Sequence, residues 1–173
     1  MEPPIPDSYW VRGGQILAGE YPRNLDEPSS RAKLRRILAS GVQSFLDLTQ
    51  EEEYGIKPYL HLLWEEAATS GVTVRYQRMP IPDMGTTTAE HMTSILDRLD
   101  SEVAAGYIVY VHCLGGIGRS GTVVGCHLVR HGSSGSQALH EIARLRRCVP
   151  DHRLPSPETA DQRDMVLSWP SGG

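Results

Sequence analysis

Residues Tyr107 to Cys113 read YIVYVHC, an apolar run without the polar–apolar alternation of a strand that faces water on one side. A short continuous run of this kind is the pattern of a strand covered on both faces, which arises where helices pack on both sides of a largely parallel sheet. Strand and helix signals alternate around it. YWVRGGQILAG reads as two short strands about Gly13-Gly14. SSRAKLRRILASG reads as a helix with Leu34, Ile37 and Leu38 on one face and Gly41 as its stop. VQSFLDL is a strand, KPYLHLLWEEAATSG a helix with Pro58 in its first turn, and VTVRYQRMPI a further strand. A Thr87 or Thr88 cap then opens a helix whose face carries Met92, Ile95, Leu96, Leu99 and Val103. After the apolar run come a buried helix from about Arg119, a helix over SQALHEIARLRRCV and a last helix over ETADQRDMVLSW. The order predicts an α/β fold with a central, mostly parallel sheet flanked by helices.

The 173 residues fit one domain, 1–173, with the ends 1–8 and 170–173 expected to be loose. A formal net charge of −4 argues against nucleic acid as partner. No apolar run approaches the ~20 residues of a membrane span. MEPPIPDSYW lacks the basic and apolar regions of a secretory signal, and three scattered cysteines give no disulfide framework, so a cytoplasmic chain with reduced thiols is expected. Cys126 and Cys148 read as helix packing, and His127, His131 and His140 show no metal-ligand spacing among themselves; no metal and no cofactor are expected. Glu51, Glu52 and Glu53 read as a solvated rim, and Arg75, Arg78, Arg144, Arg146 and Arg147 as solvated faces or contacts for acidic substrate segments.

The chemistry lies after the apolar strand. Five uncharged residues, three of them glycine, separate Cys113 from Arg119 in HCLGGIGRSG. A strand that ends in a bare loop and enters a helix presents unpaired N–H groups and positive partial charge, a natural cradle for phosphate. Gly115, Gly116 and Gly118 let the backbone of Leu114, Gly115, Gly116, Ile117 and Gly118 close round the anion. The helix start and Arg119 both favour thiolate over thiol at Cys113, and a thiolate there can attack phosphorus. Arg119 can hold two phosphate oxygens through its planar fork. Ser120 can donate to the sulfur when it departs, and His112 is expected to organise the loop through bonds to backbone carbonyls. A Walker loop is excluded, since no Lys-Ser/Thr pair follows the glycines.

HCLGGIGRSG resembles the signature loop of the cysteine-dependent protein tyrosine phosphatases, and the compact length resembles their dual-specificity branch. The resemblance implies two-step, metal-free hydrolysis of a phosphorylated protein through a phosphocysteine, on phosphotyrosine, with phosphoserine and phosphothreonine as additional candidate substrates. It also implies a general acid on a loop before the catalytic strand, a place matched by Asp83 in PIPDMG, with Ile81 where larger relatives carry tryptophan. Asp47 is the rival carboxylate. SPETADQRD resembles a glutamine-bearing loop of part of the family, so Gln162 would position the hydrolytic water. A phosphoinositide or inositol phosphate substrate and a non-catalytic phosphate-binding module are the alternatives. Relatives selective for phosphoinositides carry basic residues in the loop, and Leu114 to Gly118 carry none.

Overall fold

The computed structural model describes residues 1–172. Its centre is one five-stranded sheet. Strand β1 (Ser8–Arg12) pairs antiparallel with β2 (Ile16–Gly19). The other strands, β3 (Val42–Asp47), β4 (Arg75–Arg78) and β5 (Ile108–His112), join in parallel to give the order β1-β2-β5-β3-β4. The apolar run therefore forms the middle strand, with Val109, Tyr110 and Val111 buried between two layers of helix.

Helices α1 (Glu27–Ala39) and α2 (Leu60–Thr69) cover one face through a core that includes Leu34, Ile37, Phe45, Leu62 and Leu63. Helices α3 (Ala89–Ala104), α4 (Gly118–Arg130), α5 (Gly135–Leu145) and α6 (Ala160–Ser168) belong to the other, where Leu96, Val111, Val123, Cys126 and Ile142 meet. Side chains cap α1 at Asp26, α3 at Thr88, α5 at Ser134 and α6 at Thr159. Helix α4 begins at Ile117 with no side-chain cap, so its first N–H groups remain available to a ligand.

Several sequence expectations need correction. The expected strand at 72–81 shrinks to Arg75–Arg78. Val72 N–H is taken by Ala67 O at the end of α2, and Pro80 and Pro82 cannot donate to a ladder. Pro58 precedes α2 instead of lying in its first turn. The helix expected through Val149 stops at Leu145 and tightens into a 3₁₀ turn over Arg146–Cys148, where Cys148 is exposed. Arg146 is buried, not a solvated face, and donates to Leu154 O at 2.9 Å. Segment 1–8 is not loose: Ile5 packs in the α1-side core, and its carbonyl accepts from Ser8 Oγ. Pro170 to Gly172 are exposed, and Gly173 lies outside the described residues. No helix among the described residues is long and apolar enough to cross a membrane.

Candidate active site

Cys113 follows directly on β5 and is only 3% exposed. The loop after it is clamped from outside. Leu114 O accepts from Tyr21 N at 2.8 Å, and Ile117 O accepts from Ser156 Oγ at 2.7 Å. A trans peptide points its N–H opposite to its C=O. These two bonds therefore turn the Gly115 and Gly118 N–H groups toward the inside of the loop. The glycines are not equivalent. Gly116 has φ +68°, and a Cβ there would come within 2.5 Å of the Gly19 carbonyl carbon. A Cβ on Gly118 would meet Gln162 Oε1 at 2.9 Å, whereas at Gly115 the nearest atom is Ile117 Cδ1 at 3.9 Å.

Arg119 is buried beneath this loop, and its five donors can be accounted for one by one. Nη1 donates to Glu53 Oε2 at 2.6 Å and to Ile81 O at 3.2 Å. Nη2 donates to Glu53 Oε1 at 2.6 Å and ion-pairs with Asp83 Oδ1 at 2.9 Å. Nε is buried and has no partner among the described residues. Burial works to lower the Arg119 pKa, but the Glu53 bonds and the negative charges of Cys113 and Asp83 outweigh it and the value rises. Glu53 is the functional residue the sequence reading missed: it is no solvated rim but a buried, bidentate clamp on the arginine. A run of three glutamates carries no signal for which one turns inward.

Asp83 sits where the resemblance expected the acid. It is more exposed than Glu53, and Tyr54 Oη donates to its Oδ2 at 3.0 Å. Its loop is pinned on both sides of Asp83. Ile81 N donates to Leu48 O at 3.0 Å, His91 Nε2 contacts Pro80 O, and Gln162 Nε2 donates to Gly85 O at 3.0 Å. Glu52, Tyr54 and Met84 are the non-glycine residues with positive φ among the described residues, and all three lie in the two loops that bring carboxylates to Arg119. Such backbone strain gathers where the surrounding structure fixes a functional geometry.

The remaining expected residues fall close by. His112 is fully buried; its Nδ1 contacts Cys113 O at 3.3 Å and its Nε2 meets Tyr59 Oη at 2.7 Å. With a proton on Nδ1, Nε2 accepts from the tyrosine, which suits a neutral ring; burial pushes the His112 pKa down. Asp47, the rival acid, is fully buried. It lies beside His112 and receives Thr49 N and Oγ1 and Tyr76 Oη, and Arg78 pairs with it at 3.4 Å, so Arg78 is not merely solvated. Burial opposes its charge, but His112 and these bonds hold its carboxyl below the usual value. Ser120 Oγ is buried with no partner among the described residues, so it makes no bond to sulfur in this arrangement. Gln162 is no surface residue: its Oε1 accepts Glu158 N and Thr159 N while its Nε2 holds Gly85. Burial alone pushes the Cys126 thiol up to about 12, which suits packing rather than reactivity. Beside Leu114 a groove of about 580 Å³ opens, lined also by Arg23, Asn24, Tyr54, Ile56 and Lys57.

Comparison with known proteins bears on the fold and the family. Two uncharacterized proteins of Methanocaldococcus jannaschii are 33% and 34% identical over 91 residues, which are 53% of this chain and 56% and 52% of theirs. The chain thus spans about half the length of the curated relatives it matches. Tk-PTP in its active form is 25% identical, with a TM-score of 0.73 over 93% of this chain and 94% of that one. PTPMT1 in complex with PI(5)P (21% identity, TM-score 0.66, 93% of each chain) shares the fold. So does the PP-IP phosphatase Siw14 of S. cerevisiae (17% identity, TM-score 0.66, 95% of this chain and 87% of that one). The model of the Swiss Army Knife protein, DSP-PTPase phosphatase domain, matches residues 6–163. A cysteine-bearing loop, a buried arginine and a carboxylate-bearing loop thus stand on the fold of these phosphatases, and the chain belongs to the DSP-PTPase phosphatase domain family.

Proposed function

We propose that the chain hydrolyses phosphotyrosine in phosphoproteins through a phosphocysteine formed on Cys113. The observation that carries this is Arg119 Nε, a buried donor without a partner beside an uncapped helix start. An unpaired donor in such a place costs free energy unless an anion fills it in the working state. In the first step the Cys113 thiolate attacks phosphorus, the S–P bond forms and the P–O bond to the tyrosine breaks. Loop N–H groups and Arg119 hold the three non-bridging oxygens. An oxygen entering at Nε and Nη2 displaces Asp83 from Nη2; the freed carboxylate, no longer paired with the guanidinium, takes up a proton from solvent and then gives it to the departing phenolate. In the second step Asp83 takes a proton from water, the hydroxide attacks phosphorus, and sulfur leaves as thiolate, stabilised by the Ser120 hydroxyl. Gln162 acts as a positioning residue that fastens the acid loop at Gly85 against Gly118; turning it toward water would break its Oε1 bonds. The chemistry needs a reduced thiol and fits the cytoplasm.

One observation favours a second reading. Arg23 and Lys57 in the groove beside Leu114 offer positive charge to a further phosphate, and two fold neighbours are PTPMT1 in complex with PI(5)P and the PP-IP phosphatase Siw14. The uncharged loop favours the phosphopeptide. A panel of phosphotyrosine, phosphoserine and phosphothreonine peptides with an inositol polyphosphate and a phosphoinositide separates the two. The expected order places the phosphotyrosine peptide first in kcat/KM; a tenfold or greater preference for the inositol compounds overturns it.

A further inference from the structure

The end of α4 remote from Cys113 carries a second cluster that the phosphatase chemistry does not use. We infer that Asp100, His127 and His131 form a binding site for a divalent transition metal of the zinc type, which ties α3 to α4. His127 and His131 stand four apart at the end of α4, so their rings share one face, with centroids 4.3 Å apart. Asp100, on α3, turns Oδ1 toward both: it lies 3.3 Å from His127 Nδ1 and 2.9 Å from His131 Nε2. One donor atom from each of the three lies within 4.8 Å of the others. Zinc at about 2.0–2.1 Å from its ligands in tetrahedral geometry needs ligand atoms roughly 3.3–3.4 Å apart. Both edges that include Asp100 lie within about half an ångström of that spacing, so small side-chain rotations suffice.

The surroundings favour a cation. Arg130 holds the other oxygen of Asp100, Oδ2, at 3.2 Å and pairs with Asp97 at 2.7 Å. It fixes the direction of Oδ1 as an outer partner does for a metal ligand. Asp97 and Asp100 together outweigh the single guanidinium, and the negative end of the α4 dipole adds to them. His127 is buried while the His131 side chain is 34% exposed, so the ring of ligands is rigid on its inner side and open to a water ligand on its outer side. Two imidazoles and a carboxylate suit zinc, with cobalt and nickel as weaker competitors. The sequence reading finds no metal-ligand spacing among these histidines; the structure corrects it, since four residues apart at the end of α4 they share one face, and the carboxylate comes from another helix.

Titration of the full-length Cys113→Ser/Cys148→Ser protein with Co²⁺ tests the site, since those changes remove the thiols most able to take metal elsewhere. The expected result is a visible absorption band that saturates at one equivalent, with no sulfur-to-cobalt band in the near ultraviolet. Zinc at a hundredfold excess over its Kd should raise Tm by roughly 5–10 °C. His131→Ala and, separately, Asp100→Asn in the same background should weaken binding by at least the roughly 10–100-fold that loss of an outer partner costs. With its thiols intact, His131→Ala should hydrolyse an aryl phosphate at the parent rate, showing an undisturbed fold. Absence of a saturable band, a band with sulfur character, or an affinity unchanged from the parent in both single variants overturns the site and leaves the cluster as an ion-pair network.

Discussion

The carboxyl ends of β5 and β3 lie side by side, with Asp47 paired in register to His112, and both feed the same site in opposite ways. Beyond β5, seven consecutive residues from Cys113 to Arg119 supply the thiol, the bare backbone and the guanidinium. Beyond β3 the contributions are scattered: Asp47 turns back to the loop under His112, while Glu53 reaches across to Arg119 from a strained turn. One end makes the pocket and the other sets the charge around its arginine. The first is local chemistry, readable from spacing; the second exists only once the sheet has formed.

The largest expected effect breaks the β5 end. Cys113→Ser should abolish hydrolysis of an aryl phosphate while inorganic phosphate still binds, because the N–H groups and Arg119 remain. Measurable steady-state turnover in that variant would rule out the phosphocysteine route. Asp83→Asn comes next. It should cost roughly 10²–10⁴-fold in kcat on a phosphotyrosine peptide, the range for a lost general acid, and markedly less on an ester whose phenol is acidic enough to leave unprotonated. An equal loss on both substrates would reduce Asp83 to an ion-pair partner of Arg119.

The same contrast explains what could be read in advance. The middle strand, the alternation of strand and helix and the Thr88 cap are local patterns, and the structure carries them at the expected places. Boundaries shifted where a distant group competed for a backbone bond, as Ala67 O does for Val72 N. Asp83 could be located because prolines and a glycine mark its loop and the family resemblance supplied a role. Glu53 could not, since nothing in EEE distinguishes the glutamate that turns inward from those that face water. Gln162 falls between: its position after Thr159 marks a helix start, but its burial against Gly118 depends on how α6 crosses α4.

Glu53→Gln sharpens the comparison at the β3 end. The substitution keeps the shape but replaces one charge-assisted acceptor with an amide. Bonds to charged groups contribute about 1.5–3 kcal/mol, so kcat/KM should fall roughly ten- to hundredfold, with weaker competitive inhibition by inorganic phosphate. If Glu53 instead competed with substrate for the guanidinium, phosphate would bind more tightly in the variant, and its role as an orienting clamp would be lost.

The smallest effect concerns the link between the two strand ends, the bond from Tyr59 Oη to His112 Nε2. Burial holds the His112 pKa below its ordinary 6.5 in the folded chain. As pH falls below 6.5 the unfolded chain takes up a proton there that the folded chain refuses, so stability declines on the acid side until the depressed value is reached. Asp47, whose carboxyl is held below its ordinary 3.8, adds its own loss only at lower pH, near and below that value. Tyr59→Phe removes a donor to the neutral ring, which lets the folded pKa rise toward 6.5 and flattens the decline. It also leaves a buried ring nitrogen unpaired, at a cost of about 1–3 kcal/mol at neutral pH. Urea unfolding at several pH values between 5 and 7 reads both effects: the variant should be less stable throughout, with the gap narrowing toward pH 5. A gap that stays constant across that range would mean that His112 is not the group linking the pocket's support to pH.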